Sequence, residues 1–145
     1  MPSKINFFTE EIDFKLKHKK QLRHWIEATI TAENYVLKEV NYIFCNDAYL
    51  LKINQDYLQH DTYTDIITFD NSEVENEVVS DIFISVERVA ENAQTFQLTV
   101  LQELYRVMIH GALHLSGYKD KSAKDKKLMT EKENFYLDRI SNFVK

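Results

Sequence analysis

Residues 99–117 read TVLQELYRVMIHGALHLSG, and this stretch decides how the rest of the chain is interpreted. Its apolar residues surround most of the circumference of a helix, which predicts a helix at the centre of a domain. We expect the helix to begin at Thr99 and to end at Gly117, because glycine adopts the left-handed conformation that closes many helices. A buried central helix is therefore the starting point for the fold.

The sequence on either side of this helix alternates between period-two and helical patterns of apolar residues. Strands are predicted at 5–8, at 36–44 and, as a hairpin, at 65–69 and 78–85, with a loop at 60–64. Helices are predicted at 15–31, from a cap at Asn46 or Asp47 to residue 58, at 86–96, and from a capping box at Ser122 through residue 140. This order predicts an α+β fold in which helices pack on a small sheet, formed by a single domain over residues 1–145.

The composition excludes several classes of protein. Only 2 glycines and 1 proline occur in 145 residues, which is typical of an ordered globular chain. Cys45 is the only cysteine, so an intrachain disulfide is excluded and a reducing cytoplasm is the expected location. The sequence contains neither a stretch of 18 apolar residues nor an export signal, and it therefore predicts no membrane association. No obligate protein partner is visible.

The net charge of −5 argues against a surface built throughout to coat nucleic acid. Two basic clusters run against this average, and taken singly each is interpreted as a solvated helix face. They consist of Lys15, Lys17, Lys19, Lys20 and Arg23 in the first helix, and of Lys119, Lys121, Lys124, Lys126 and Lys127 after the central helix.

His110, His114 and Asp120 form a pattern that is typical of a catalytic metal site. Two histidines four residues apart lie one helical turn from each other, so both imidazoles can reach one zinc ion at about 2 Å. Gly117 allows a sharp turn that brings Asp120 back as an oxygen ligand, and three protein ligands leave a fourth position open. The alternative interpretation is a pair of hydrogen-bonded core histidines, although core packing alone gives no reason for the turn and the acid. We predict one bound zinc ion.

The same spacing, His-x-x-x-His-x-x-Gly-x-x-Asp, also occurs in zinc peptidases, whose first histidine is followed by a glutamate that serves as general base. Position 111 is glycine in this chain. A zinc metallopeptidase is therefore the alternative hypothesis rather than the preferred one.

The part of the chain from residue 54 to residue 120 resembles a known family. The stretch from residue 110 to residue 120 reads HGALHLSGYKD, and it resembles the signature His-Gly-x-Leu-His-Leu-x-Gly-Tyr-Asp-His of the bacterial rRNA-maturation endoribonuclease family called YbeY. Upstream, three blocks are similar to the family's Asn-x-x-Tyr, Asp-x-x-Thr-Asp-Val-Leu-Ser-Phe and Gly-Asp-Ile. They are residues 54–57, Asp61 with residues 64–69, and Asp81 with Ile82.

This resemblance implies a mixed four-stranded sheet and a metal-dependent endoribonuclease that acts on single-stranded RNA in rRNA maturation and ribosome quality control. RNA, as rRNA or ribosomal subunits, is the implied partner. Two departures from the family pattern stand out: Asp120 occupies the position of a third histidine ligand, and Leu58 that of an arginine proposed to contact phosphate. The candidate cations for that contact are Arg88, Arg106 and Lys119.

Three further expectations remain open at this stage. Thr64, Asp65 and Asp81 either line a cleft or stabilise the edges of the hairpin. Glu103 lies two turns before His110, which is too far for a partner of that imidazole. A non-enzymatic ribosome-associated factor, in which the metal only braces the loop after Gly117, is the third functional hypothesis.

Overall fold

A computed structural model of the chain describes residues 4–58 and 64–144. The predicted loop at 60–64 lies outside the described residues except for Thr64, and so does Asp61. The elements, in chain order, are β1 (Ile5–Glu10), α1 (Lys19–Ala32), β2 (Val36–Cys45), α2 (Asp47–Leu58), β3 (Ile66–Asp70), β4 (Glu77–Ser85), α3 (Val86–Thr95), α4 (Val100–Leu115), α5 (Ala123–Leu137) and a short 3₁₀ turn at Ile140–Asn142.

The four strands found in the described ranges form one mixed sheet in the order β1-β2-β4-β3. β2 pairs in parallel with both β1 and β4, whereas β3 runs antiparallel to β4 as a hairpin. The predicted α+β class, the four strands and the five helices are confirmed, and so is the predicted hairpin.

The two faces of the sheet carry different layers of helices. Side chains alternate between the faces with period two, so Ile82 and Ile84 join the main core with α1, α4 and α5, while Phe83 packs on the other side. There a smaller cluster forms around Cys45 and Leu50, where α2 covers the sheet. The main core therefore lies on the face that also carries the histidine motif.

α4 lies close against the sheet at Gly111. A Cβ atom added there would stand 3.0 Å from Cδ1 of Ile66 and 3.3 Å from Cδ1 of Ile82. Nine of the sixteen residues of α4 are buried, as expected for a helix that is apolar around most of its circumference. The prediction of a central helix that carries the metal motif is thus consistent with the packing of α4.

Two predicted helix boundaries were wrong. α1 begins at Lys19 rather than at residue 15, because His18 adopts the left-handed conformation (φ 60°) and interrupts helical geometry just before it. α5 ends at Leu137, and the apolar pattern that continues to residue 140 belongs to the separate 3₁₀ turn. Asn46 accepts a hydrogen bond from the N–H of Tyr49 at 2.8 Å, which identifies it as the cap of α2.

No helix within the described part of the chain is long and apolar enough to cross a bilayer.

Candidate active site

A polar cavity of about 350 Å³ opens where α4, α5 and the start of β3 meet. Its walls carry four carboxyl groups but only two side chains that can be cationic. The lining residues are Thr64, Asp65, Ile66, Glu103, Arg106, Val107, His110, Asp120 and Glu133. The cavity therefore contains two of the three predicted metal ligands, His110 and Asp120.

His110 projects into this cavity and lies between two carboxyl groups. Its Nδ1 atom lies 2.6 Å from Oε2 of Glu133 and its Nε2 atom lies 3.7 Å from Oδ2 of Asp120. A carboxylate only accepts hydrogen bonds, so Nδ1 carries the proton and donates to Glu133. Burial alone would lower the pKa of His110, but the hydrogen bond and the charge of Glu133, together with Asp120 and Asp65, raise that pKa above its ordinary value.

His114 is exposed and lies outside the lining of this cavity. Its Nδ1 atom donates to the backbone carbonyl of Tyr118 at 3.1 Å. The chain returns to make this bond through a Schellman turn, in which the N–H of Tyr118 bonds to the carbonyl of Leu113 and that of Gly117 to the carbonyl of His114. Gly117 has a φ of +101°, which only glycine adopts readily, so the predicted role of this residue in ending the helix is confirmed.

The two imidazoles share a feature that suits a metal ion. Both donate from Nδ1 to an oxygen, so in the neutral form each carries its lone pair on Nε2. Two imidazole nitrogens and the carboxylate of Asp120 form a donor set that zinc accepts. Among residues 4–58 and 64–144, however, no group of three or more His, Cys, Asp or Glu side chains stands in metal-binding geometry. The donor chemistry fits zinc, and the three-ligand set stays a prediction.

Glu133 is a residue of this cavity that the sequence did not reveal. It lies on α5, 23 positions after His110, and its other oxygen accepts from Nη1 of Arg106 at 2.9 Å. No local motif links it to the histidines. Glu103, which the sequence placed too far from His110, lines the same cavity without a hydrogen bond to that imidazole. Its Oε1 atom is buried and has no hydrogen-bond partner among the described residues.

The three predicted RNA-contacting cations occupy different environments. Arg106 lines the cavity, but its guanidinium is bound by Glu133 and Asn134. Arg88 pairs with Asp47 at 2.7 Å and Glu91 at 3.3 Å and does not line the cavity. Lys119 is exposed in the loop beside Asp120. Contact of these residues with RNA stays a prediction.

Of the residues predicted at the strand ends, Thr64 and Asp65 lie in the cavity and Asp81 does not. Burial raises the pKa of Asp65, and the nearby imidazole of His110 only partly opposes this effect. Burial likewise raises the pKa of Glu103, with Asp65 adding to the shift. Asp81 instead accepts a hydrogen bond from the amide of Asn41 on the neighbouring strand at 3.0 Å. The cleft interpretation therefore suits Thr64 and Asp65, whereas Asp81 bonds to β2 rather than within the predicted hairpin.

A family model described as endoribonuclease YbeY matches residues 4–141 of this chain. The chain belongs to the YbeY family. A relative from Cytophaga hutchinsonii, named endoribonuclease YbeY, is 52% identical over 133 residues, which cover 92% of this chain and 93% of the relative. A relative of the same name from Flavobacterium psychrophilum is 52% identical over 127 residues, with coverage of 88% and 90%.

The fold of the family is also found among solved structures. The solution structure of TM1509 from Thermotoga maritima matches with a TM-score of 0.68 and 30% identity, and the match covers 94% of this chain and 88% of that one. The resemblance predicted from the sequence motifs is confirmed by these findings. The Cytophaga and Flavobacterium relatives both bear the name of a ribonuclease, and neither bears that of a peptidase.

Gly111 gives a physical reason why the peptidase alternative is disfavoured. In that class the residue after the first histidine is the catalytic glutamate. Position 111 of this chain faces Ile66 and Ile82 across a gap that a Cβ atom would already fill. A glutamate there would be directed into the core of the YbeY fold rather than into the cavity.

Proposed function

We propose that this protein is a metal-dependent endoribonuclease that cleaves single-stranded RNA in rRNA maturation and ribosome quality control. The observation that carries the proposal is membership of the YbeY family over residues 4–141. Relatives that bear the name endoribonuclease YbeY match about nine tenths of the chain. RNA is thus the substrate, and rRNA or a ribosomal subunit is its proposed source.

One zinc ion is the proposed cofactor, with His110 and His114 as nitrogen ligands through Nε2 and Asp120 as an oxygen ligand. The engaged Nδ1 atoms of both histidines support this assignment, because they leave the Nε2 lone pairs available. When bound, zinc supplies Lewis acidity toward a phosphoryl oxygen and makes water a better nucleophile at neutral pH. Neither contribution requires a glutamate at position 111.

Arg106, which lines the cavity, and Lys119, which does not, differ as candidates for contact with RNA. The charge of Arg106 is already neutralised by Glu133, so the exposed Lys119 is the better candidate for a contact with the RNA backbone. Phosphate contacts of this kind contribute affinity without sequence preference. We further propose that residues 1–145 act as one domain in the cytoplasm, where the thiol of Cys45 stays reduced.

A fluorescent single-stranded RNA and a duplex of the same sequence test the activity directly. Wild-type protein with zinc is expected to cleave the single strand and to leave the duplex intact. His114→Ala is expected to lose both stoichiometric zinc and cleavage, and His24→Ala, which removes an exposed histidine of α1, is the matched control. Full cleavage by zinc-free His114→Ala would reject the metal-dependent mechanism.

Two further assays separate the proposed activity from its alternatives. Casein digestion by protein that leaves RNA intact would favour the metallopeptidase. Tight binding to ribosomal subunits by protein that cleaves neither substrate would favour the non-enzymatic factor. We expect RNA cleavage without casein digestion.

A further inference from the structure

We propose that Glu133 is the positioning residue for His110 and that Arg106 in turn holds Glu133. The proposal rests on the metal site described under the proposed function. It assigns to α5 a part in that site, in addition to the ligands from α4 and the loop after it. Glu133 acts through the imidazole of His110 and does not touch the substrate.

The contact between Glu133 and His110 is the first support for this role. At 2.6 Å, the distance between Oε2 and Nδ1 is that of a charge-assisted hydrogen bond. The bond fixes the proton on Nδ1 and sets the rotation of the ring. The Nε2 atom is consequently directed toward Asp120, the other predicted ligand in the cavity.

Glu133 is itself fixed by its neighbours. Its side chain is buried, and a buried carboxylate is tolerated only when it is paired. Oε1 accepts from Nη1 of Arg106 at 2.9 Å, while Nη2 of the same guanidinium donates to Oδ1 of Asn134, also at 2.9 Å. Arg106 therefore spans two neighbouring residues of α5 and prevents Glu133 from turning away from His110.

Both carboxylate oxygens of Glu133 are engaged, one by each partner. The carboxylate therefore supports a ligand and is not itself proposed as a ligand. Carboxylate–histidine pairs of this kind raise the basicity of the imidazole and hold its orientation at zinc sites. Glu103, on α4 itself, makes no such bond to His110 and does not fill this role.

Glu133→Gln is the sharpest variant, because it keeps the size of the side chain and replaces one acceptor oxygen by an NH₂ group. Either His110 or Arg106 then faces a donor instead of an acceptor. The matched control is Glu131→Gln, an exposed glutamate two positions earlier on α5. Zinc affinity is measured by competition with a fluorescent chelator, and unfolding of the metal-free proteins is measured in parallel.

We expect Glu133→Gln to bind zinc about 10- to 100-fold more weakly than wild type, the range seen when such supporting partners are removed. Glu131→Gln is expected to bind as wild type does. Equal zinc affinity of wild type and Glu133→Gln would overturn the proposal. If wild type itself bound no zinc, the proposed metal site would fail, and the tautomer measurement would then decide the role of Glu133 alone.

That measurement is ¹⁵N NMR of the His110 ring in metal-free protein, at a pH where the imidazole is neutral. Wild type is expected to show Nδ1–H almost exclusively, and Glu133→Met, which leaves no acceptor facing Nδ1, a mixture of both tautomers. An unchanged tautomer in Glu133→Met would reject the positioning role, since removal of a merely structural glutamate would leave the tautomer unaltered. If Glu133→Gln does not fold, Arg106→Gln serves instead, because it leaves Glu133 and His110 in place but removes the guanidinium that holds the carboxylate.

Discussion

The two histidines of the motif are one helical turn apart, yet they are supported in different ways. His110 is half-buried and is held by a side chain from another helix, Glu133. His114 is exposed and is held by a backbone carbonyl of its own loop, that of Tyr118. The first support depends on tertiary packing between α4 and α5, whereas the second depends on the local turn at Gly117.

This difference implies that the two imidazoles respond to different changes. Alterations in α5 should displace His110 and leave His114 in place. Alterations of the turn at Gly117 should displace His114 and leave His110 in place. Only two kinds of change are expected to affect both histidines: those that lift α4 from the sheet, and those that separate the loop from α5.

Gly111→Glu tests the packing of α4 on the sheet, on which both histidines depend. The loss of stability should be the largest of those predicted here. The new side chain would meet Ile66 and Ile82 and bury an unpaired carboxylate, which costs about 3 to 5 kcal/mol. Urea denaturation is the measurement, with Gly111→Ala as the control for volume alone. Wild-type stability of Gly111→Glu would contradict the close packing of α4.

Gly117→Ala should disturb the His114 side alone. The left-handed conformation and the approach of a Cβ to the hydroxyl of Tyr35, at 3.0 Å, together cost about 1 to 3 kcal/mol. We expect lower stability and weaker zinc binding, while the NMR signals of the His110 ring keep the wild-type tautomer. A change at His110 as large as that at His114 would show that the two supports are not separate.

Glu33→Gln tests the contacts that join the loop after Gly117 to α5. The measurement is the pH dependence of stability. Glu33 accepts from the hydroxyls of Tyr118 and Tyr136 and pairs with Lys132, so it ties the loop to α5. Burial tends to raise the pKa of Glu33, but these hydrogen bonds and the charge of Lys132 outweigh it and lower the pKa below 4.5.

Because the folded-state pKa is depressed, Glu33 stabilises the fold above pH 4.5, and this stability is lost as the pH falls through the folded-state pKa. The free energy of unfolding of wild type is expected to exceed that of Glu33→Gln by about 1 kcal/mol at pH 7. The two free energies should converge in acid. Denaturation curves from about pH 3 to pH 7 are the check. A difference between the proteins that stays constant over that range would refute the assignment.

Lys119→Gln should have the smallest effect, confined to RNA binding. Loss of one phosphate contact is expected to reduce the salt slope of binding by about 1 without altering stability. The comparison is Arg88→Gln, because the guanidinium of Arg88 is engaged by Asp47 and Glu91. Equal salt slopes for Lys119→Gln and wild type would show that Lys119 does not contact the RNA backbone.

The sequence predicted the fold class, the strands and the central helix because these follow from local periodicity and turn chemistry. It also placed His114 next to its turn, since Gly117 and the Tyr118 carbonyl lie within four residues of it. It could not predict Glu133, because the contact with His110 depends on how α5 packs on α4 and on α1, where Nε1 of Trp25 donates to the carbonyl of Tyr136. The pairing of Arg106 with Glu133 could not be predicted for the same reason, since an arginine in a sequence does not reveal that its charge is already paired.

The location of Glu133 on α5 has a consequence for the order in which the site is assembled. A growing chain that has reached residue 122 already contains His110, His114 and Asp120, but it lacks the carboxylate that orients the first of them. The support arrives only when α5 has been synthesised and has docked beside α4. The His110 imidazole is therefore held in its orientation only after both histidines and the aspartate have already been made.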